Sequence, residues 1–563
     1  MLDTLLDHTT FTEILSDMFV LCGLAVAWHL PLAADGTFCA VERFGARFAN
    51  RRGLTLASVA AAAIVVRLVL LAWIPVPVPR IHDEFSYLLA GDTFAHGRLT
   101  NPPHPLWIFF DTFHVNQYPT YMSKYPPAQG AVLAVGQLLG HPWIGVLLSA
   151  AGMCTAVLWM LQGWLPPRWA LLGGTLLLFR LGIFNYWMNS YWGGAVAAIG
   201  GALVVGALPR LLRTSRARDA VILGLGAAIL ASSRPYEGIF LCLPVFGVLL
   251  AWLFGRRSPP WRVTVPRLIV PFCAVALLCG LFLGYYNWRG TGNPLLFPYV
   301  LNQRRYFRVP SFVWQQVGLP LHYLNAQFED FYNGWDLHYW AYYRVNSFVT
   351  AVRHLGMVVS RFAYVFIWPE LCVPLITLPW LLRDRRIRLL VIQAGFCFLG
   401  SYLVLGFLPH YAAPLTATVF ALLAQAIRHL RHWRYRGRPV GIGLSRTVVL
   451  CAFVLAPFHH ADFLDPSSPD IEYRAVFAAK LNVLPGEHLV IVRYSKDHNS
   501  NNEWVYNAAD IDHAKVVWAR EIPGVSSAPL LDHFKDRTVW VVEPDECPIE
   551  IKPYSSPPPG SAE

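Results

Sequence analysis

The chain has 563 residues, of which 55% are hydrophobic and only 14% charged, against roughly 25% charged in an ordinary soluble domain. Forty-five basic and 34 acidic residues leave a net charge of +11, but the excess sits in short connectors between apolar blocks. That is a pattern of membrane topology rather than of a nucleic-acid footprint. The ten cysteines form no CxxC pair and no Cys/His metal spacing, so neither a disulfide framework nor a zinc module is expected.

In chain order, Met1 to Asp17 is acidic and does not read as a cleavable signal. Apolar spans are expected at 18–33, 54–76, 143–162, 170–184, 193–209, 219–233, 238–254, 268–286, 354–382, 389–408, 412–427 and 446–460. The fold class is therefore a polytopic α-helical membrane protein of about 11–13 transmembrane helices. Every second connector is rich in arginine: Arg43 to Arg52, Arg210 to Arg218, Arg256 to Arg267, Arg383 to Arg388 and Arg428 to Arg438. By the positive-inside rule these connectors face the cytoplasm, and the others share the outer face. The outer set comprises a loop from Pro77 to Pro127, the turn Asn185 to Trp192, the segment Arg234 to Gly238, the aromatic stretch 287–350, the turn at Pro409, and everything beyond about 461.

Three units are expected on this reading. Residues 1–53 form an N-terminal segment with room for an extra span, 54–460 a transmembrane unit with outer loops 77–127 and 287–350, and 465–563 a small extracytoplasmic α/β domain. Within the last, the patterns predict a helix over 471–482, strands at His488–Tyr494 and Ala514–Trp518, a helix over 527–534 and a strand at Thr538–Val542. Ser555 to Glu563 is rich in Pro, Ser and Gly and reads as a disordered tail.

The outer loops carry the ions. Asp83 and Glu84 follow a span directly, and carboxylates at a membrane surface are costly unless paired or used. On a helix, neighbours lie about 100° apart, so one of the two is expected to face a site and the other to brace it. Lys124 is the only lysine before Lys480, followed by Tyr125 and two prolines that stiffen the exit from the loop. An ammonium there suits a phosphate, or snorkels to the interface. Arg234 and Glu237 are held in a very short turn, His410 and Tyr411 open another span at the same level, and Arg304 and Arg305 lie among aromatics such as Tyr299, Tyr306 and Trp335 that could stack on a sugar. His82, His96, His104 and His114 are too scattered to argue as ligands and read as interface histidines, and no metal residues are assigned.

A long outer loop with an Asp-Glu pair soon after a span, closed by Lys124-Tyr-Pro-Pro127, resembles the GT-C superfamily of integral-membrane glycosyltransferases, whose relatives include protein O-mannosyltransferases and aminoarabinose and arabinosyl transferases. The resemblance covers roughly residues 54–430 by topology and leaves 465–563 unmatched. It implies a polyprenyl-phosphate-sugar donor and transfer, with inversion, to an extracytoplasmic glycan, lipid or protein. It also implies Asp83 as catalytic base with Glu84 as a supporting candidate. Lys124, Tyr125, Arg234, Glu237, Arg304, Arg305, His410 and Tyr411 are then the expected donor-phosphate and substrate residues. No cofactor is assigned, and a divalent cation is an option that some relatives use. Arginine over lysine fits a GC-rich bacterial genome, hence a bacterial inner membrane with the site toward the periplasm, and membrane lipids rather than nucleic acid as partners. A multi-pass transporter or lipid-linked sugar flippase is the alternative, although transporters tend to place their ions near the bilayer midplane.

Overall fold

The computed structural model describes residues 2–255, 259–367, 369–458 and 469–554. The end of the 446–460 stretch, the start of the expected C-terminal domain and the tail Ser555–Glu563 lie outside the described residues. Helices occupy each of the twelve expected apolar stretches. Among the described residues, six helices are long and apolar enough to cross a membrane: Arg52–Ala72, Pro142–Trp164, Ala195–Thr214, Pro235–Leu253, Trp261–Thr291 and Pro409–Arg431. Phe348–Phe366 and Glu370–Arg383 make a seventh if the pair, bent by 112°, is one span.

The expected count of about 11–13 exceeds this for a physical reason. Ala217–Ala231 has 15 residues, and Arg388–Leu403 and Val440–Leu455 have 16 each. At about 1.5 Å per residue these rise less than the roughly 30 Å of a hydrocarbon core. Proline sets several starts, standing at the first helical positions of Pro127–Leu138, Pro142–Trp164, Pro167–Leu177 and Pro235–Leu253, where its missing N–H costs nothing. Burial orders the bundle: 89% of the apolar window of Pro409–Arg431 is enclosed, against 11% for Trp261–Thr291. The first is central and the second is left to lipid.

The loop after Arg52–Ala72 is folded rather than extended. It carries the helix His82–Ala95 and a two-stranded antiparallel hairpin, β1 Val115–Asn116 with β2 Met122–Ser123, and runs into the helix Pro127–Leu138. The two helices cross closely at Gly91 and Gly130. A Cβ on Gly130 would sit 2.6 Å from that of Ala90, so only glycine permits the approach.

Beyond 469 a helix, Pro469–Val483, leads into a four-stranded sheet of order β4-β3-β5-β6, with β3 His488–Val492, β4 Val516–Arg520, β5 Thr538–Val542 and β6 Ile551–Pro553. The first three are parallel and β6 is antiparallel, a strand the sequence pattern did not indicate. All five β3 residues are buried. Val490 and Val492 pack with Phe477, Leu481 and Trp504, whereas Leu489 and Ile491 pack on Phe109, Phe110 and Tyr121 of the first outer loop. Parallel strands need cover on both faces, and here the loop supplies one of them.

Candidate functional site

The helix His82–Ala95 begins the site. Glu84, at its third position, reaches back so that Oε2 accepts the backbone N–H groups of Arg80 at 2.7 Å and Ile81 at 3.3 Å, the capping arrangement expected of a glutamate there. Its Oε1 accepts the N–H of Tyr191 at 2.9 Å. Both oxygens are thus taken by backbone, tying the loop to the turn 185–192. Burial, with Asp83 adding to it, pushes the Glu84 carboxyl up to about 7. Asp83 differs. Its side chain is 24% exposed, and Oδ1 accepts the phenol O–H of Tyr125.

Ser86 explains how residues forty positions apart meet. Its hydroxyl donates to the His114 carbonyl at 2.6 Å and pairs with Ser123 at 2.8 Å, clamping both sides of the β1–β2 hairpin onto the helix. His114 sits in the left-handed region at φ 62°, a conformation that costs a non-glycine residue free energy and often marks a functional site. Its Nδ1 lies 3.2 Å from the Tyr125 oxygen and 3.7 Å from Asp83 Oδ2. Because Tyr125 gives its proton to Asp83, the neutral imidazole completes a chain by donating from Nδ1. Burial, then Lys124 and His82, keeps His114 well below the ordinary histidine range and so uncharged. The chain fixes the carboxylate while leaving its side chain 24% exposed.

Lys124 is 4% exposed; its backbone N–H donates to the His114 carbonyl at 3.2 Å, and among the described residues its ammonium has no hydrogen-bond or ion-pair partner. Its Nζ stands over three rings, Phe307 at 4.9 Å, Tyr125 at 5.2 Å and Tyr299 at 5.3 Å. Burial lowers its ammonium to about 8, against the pull of Asp83 and Asp336. Arg234 completes the cluster from the turn before Pro235–Leu253. It lies 4.6 Å over Tyr411, 3.9 Å from Glu237, and within electrostatic reach of Tyr87 and Tyr125. His410 packs against Trp192 at 4.4 Å and meets Tyr186 at 3.2 Å.

Of the residues singled out in the sequence, Asp83, Glu84, Lys124, Tyr125, Arg234, Glu237, His410 and Tyr411 come together. Arg304 is exposed, and Arg305 stacks on Trp107 and donates to the Tyr118 carbonyl, so neither joins the cluster. His114, Tyr299, Phe307 and Asp336 do join it and were not chosen as site residues. In the sequence Tyr299 reads as an aromatic that could stack on a sugar and His114 as an interface histidine, while Phe307 and Asp336 carry no signal beyond their place in the outer loops. His82, read as an interface histidine, is 5% exposed, stacked on Phe113 and bonded to the Ser500 carbonyl at 2.8 Å.

Around Asp83 the donor set does not suit a divalent cation, since Glu84 is saturated by backbone N–H groups and the nearby cations are Lys124 and Arg234. Among the described residues, one group has ligand atoms close enough for a metal: His104, Asp512 and His533. Leu106 N–H donates to His104 Nδ1 at 3.0 Å, so the ring proton is on Nε2 and points at Asp512, 3.1 Å away. A nitrogen that donates cannot ligate. This group is a hydrogen-bonded seam between the first outer loop and the C-terminal sheet.

No family model and no curated protein matches the chain. Among solved structures it is similar to the oligosaccharyltransferase of Archaeoglobus fulgidus in the apo form, at 12% identity over 87% of this chain and 69% of that one, with a TM-score of 0.45. It is also similar to ArnT from Cupriavidus metallidurans in the apo state, at 12% identity over 86% of this chain and 92% of that one, with a TM-score of 0.46. The same ArnT bound to undecaprenyl phosphate gives 13% identity over the same shares and a TM-score of 0.42.

Proposed function

We propose that the chain is an integral-membrane glycosyltransferase that moves a sugar from a polyprenyl-phosphate-linked donor to a hydroxyl of an extracytoplasmic glycan, lipid or protein, with inversion at the anomeric carbon. One observation carries the reading: a partly exposed carboxylate, Asp83, within electrostatic reach of a buried ammonium, Lys124, that has no direct ion pair among the described residues. A charge buried in that way is costly unless a ligand completes it. The end of the bundle that holds it is also the arginine-poor one, which favours the outer face.

The residues divide the work. The acceptor oxygen attacks the anomeric carbon as its proton passes to the Asp83 carboxylate, and the bond from that carbon to the phosphate oxygen breaks. General-base assistance of this kind contributes roughly 10²–10⁴-fold. Tyr125 and His114 hold the carboxylate in one orientation. Lys124 and Arg234 take the charge that develops on the departing phosphate, whose low basicity removes the need for a general acid. We place this chemistry at the periplasmic face of a bacterial inner membrane.

The test is transfer of label from undecaprenyl phosphate carrying radioactive glucose, mannose or arabinose into the membranes of the producing cells. Wild type should transfer at least one of them, and Asp83→Asn should lose about 10²–10⁴-fold in rate while keeping its wild-type melting temperature. Equal transfer by Asp83→Asn removes it as the base. Movement of intact lipid-linked sugar across vesicles without transfer favours the flippase instead.

A further inference from the structure

Asp336 opens the helix Asp336–Tyr343 in the long outer stretch. It is 9% exposed, and among the described residues neither carboxylate oxygen has a hydrogen-bond or ion-pair partner, Oδ2 being wholly enclosed. Buried carboxylates are ordinarily paired or hydrogen-bonded, so an unsatisfied one implies a missing donor. Lys124 is within electrostatic reach of both Asp83 and Asp336. Tyr299 feels the same two carboxylates as well as Arg234 and Glu237, yet is 39% exposed. That exposed ring marks the side on which this group of charges meets solvent.

The occupant follows from charge. A phosphate belongs at Lys124 and is repelled by Asp336, so what meets Asp336 is a neutral group that donates hydrogen bonds. On a phosphate-linked sugar those groups are the hydroxyls, and the rings of Tyr299 and Phe307 beside Lys124 offer apolar faces for the sugar ring.

We propose that Asp336 is a specificity-determining residue of the donor site, accepting a hydrogen bond from a hydroxyl of the sugar attached to the phosphate at Lys124. The proposal rests on the lipid-phosphate reading above. Burial holds its carboxyl up at about 7, with Lys124 opposing, as expected of an acceptor waiting for its donor.

The experiment compares affinities in detergent for bare undecaprenyl phosphate and for undecaprenyl phosphate carrying glucose, mannose or arabinose. Wild type should bind at least one glycosylated lipid more tightly than the bare one. Asp336→Leu, which removes an unsatisfied buried charge and so should not unfold the protein, should erase that preference, a loss of about ten-fold or more. Its affinity for bare undecaprenyl phosphate should stay within about two-fold. Asp336→Asn, which keeps a carbonyl acceptor, should lie between. Lys124→Met should weaken bare and glycosylated lipids alike. A wild type indifferent to the sugar, or an Asp336→Leu variant that keeps the preference or loses bare-lipid binding equally, overturns the role of Asp336. Failure of wild type to bind bare undecaprenyl phosphate overturns the lipid-phosphate reading itself.

Discussion

Two sets of buried opposite charges lie above the bundle, and they are built in contrary ways. Glu503 and Arg520 in the C-terminal region are 1% and 2% exposed and form a direct ion pair. Glu503 also accepts from Tyr494 at 2.6 Å and the Val505 N–H at 2.8 Å, and Arg520 reaches Gln327 at 2.9 Å in the long outer stretch. Burial alone would raise the Glu503 carboxyl, but Arg520 and these donors hold it below the usual range. The side chains of Lys124 and Asp336, in residues 4% and 9% exposed, have no hydrogen-bond or ion-pair partner among the described residues. The first set holds two outer segments together. The second carries an energetic cost that only a ligand relieves.

Breaking the satisfied set should have the largest effect. Arg520→Ala leaves the Glu503 charge buried and alone, which costs about 3–5 kcal/mol. Its thermal unfolding in detergent should fall well below wild type, whereas Lys124→Met should melt no lower than wild type. Equal losses in the two variants would erase the distinction between them.

A pH series sharpens the other side. An anion binds the protonated Lys124, whose folded value without ligand is about 8 because burial depresses it. Affinity for undecaprenyl phosphate should therefore fall by about ten-fold per pH unit above about pH 8. In Lys124→Met that decline should vanish. A wild-type profile flat to pH 10 would deny Lys124 the phosphate.

The smallest effect is expected at the arginine-rich end, where Arg431 pairs with Glu42 at 2.7 Å with both side chains partly exposed. Arg431→Ala should change stability by only about 0.2–1 kcal/mol, read as a small shift in melting temperature and no change in lipid affinity.

The sequence announces this arrangement unevenly. Apolar runs locate each helix because hydrophobicity is local, and the continuous apolar run Leu489 to Val492 marks β3, as a strand buried on both faces should. Composition does not say that the outer loop covers one face of that sheet, since Phe109 and Ile491 are joined only by tertiary packing. Asp83 stands out because a carboxylate at a membrane surface is costly, and Lys124 because it is the only lysine before Lys480. Their neighbours do not. His114 reaches Tyr125 through a hairpin of two residues per strand, too short to leave a periodic signal. Asp336 is one more acid in an aromatic stretch until the fold encloses it, and Arg304 and Arg305 look equally suited to a phosphate until the helix Pro298–Tyr306 carries them elsewhere.

The most direct measurement is native mass spectrometry of the full chain with added undecaprenyl phosphate, comparing wild type with Lys124→Met. Loss of a charge-assisted contact worth about 1.5–3 kcal/mol predicts binding weakened by roughly 10–100-fold in the variant. Equal retention of the lipid by both proteins, or by neither, would contradict the assignment of the unpartnered ammonium to a lipid phosphate.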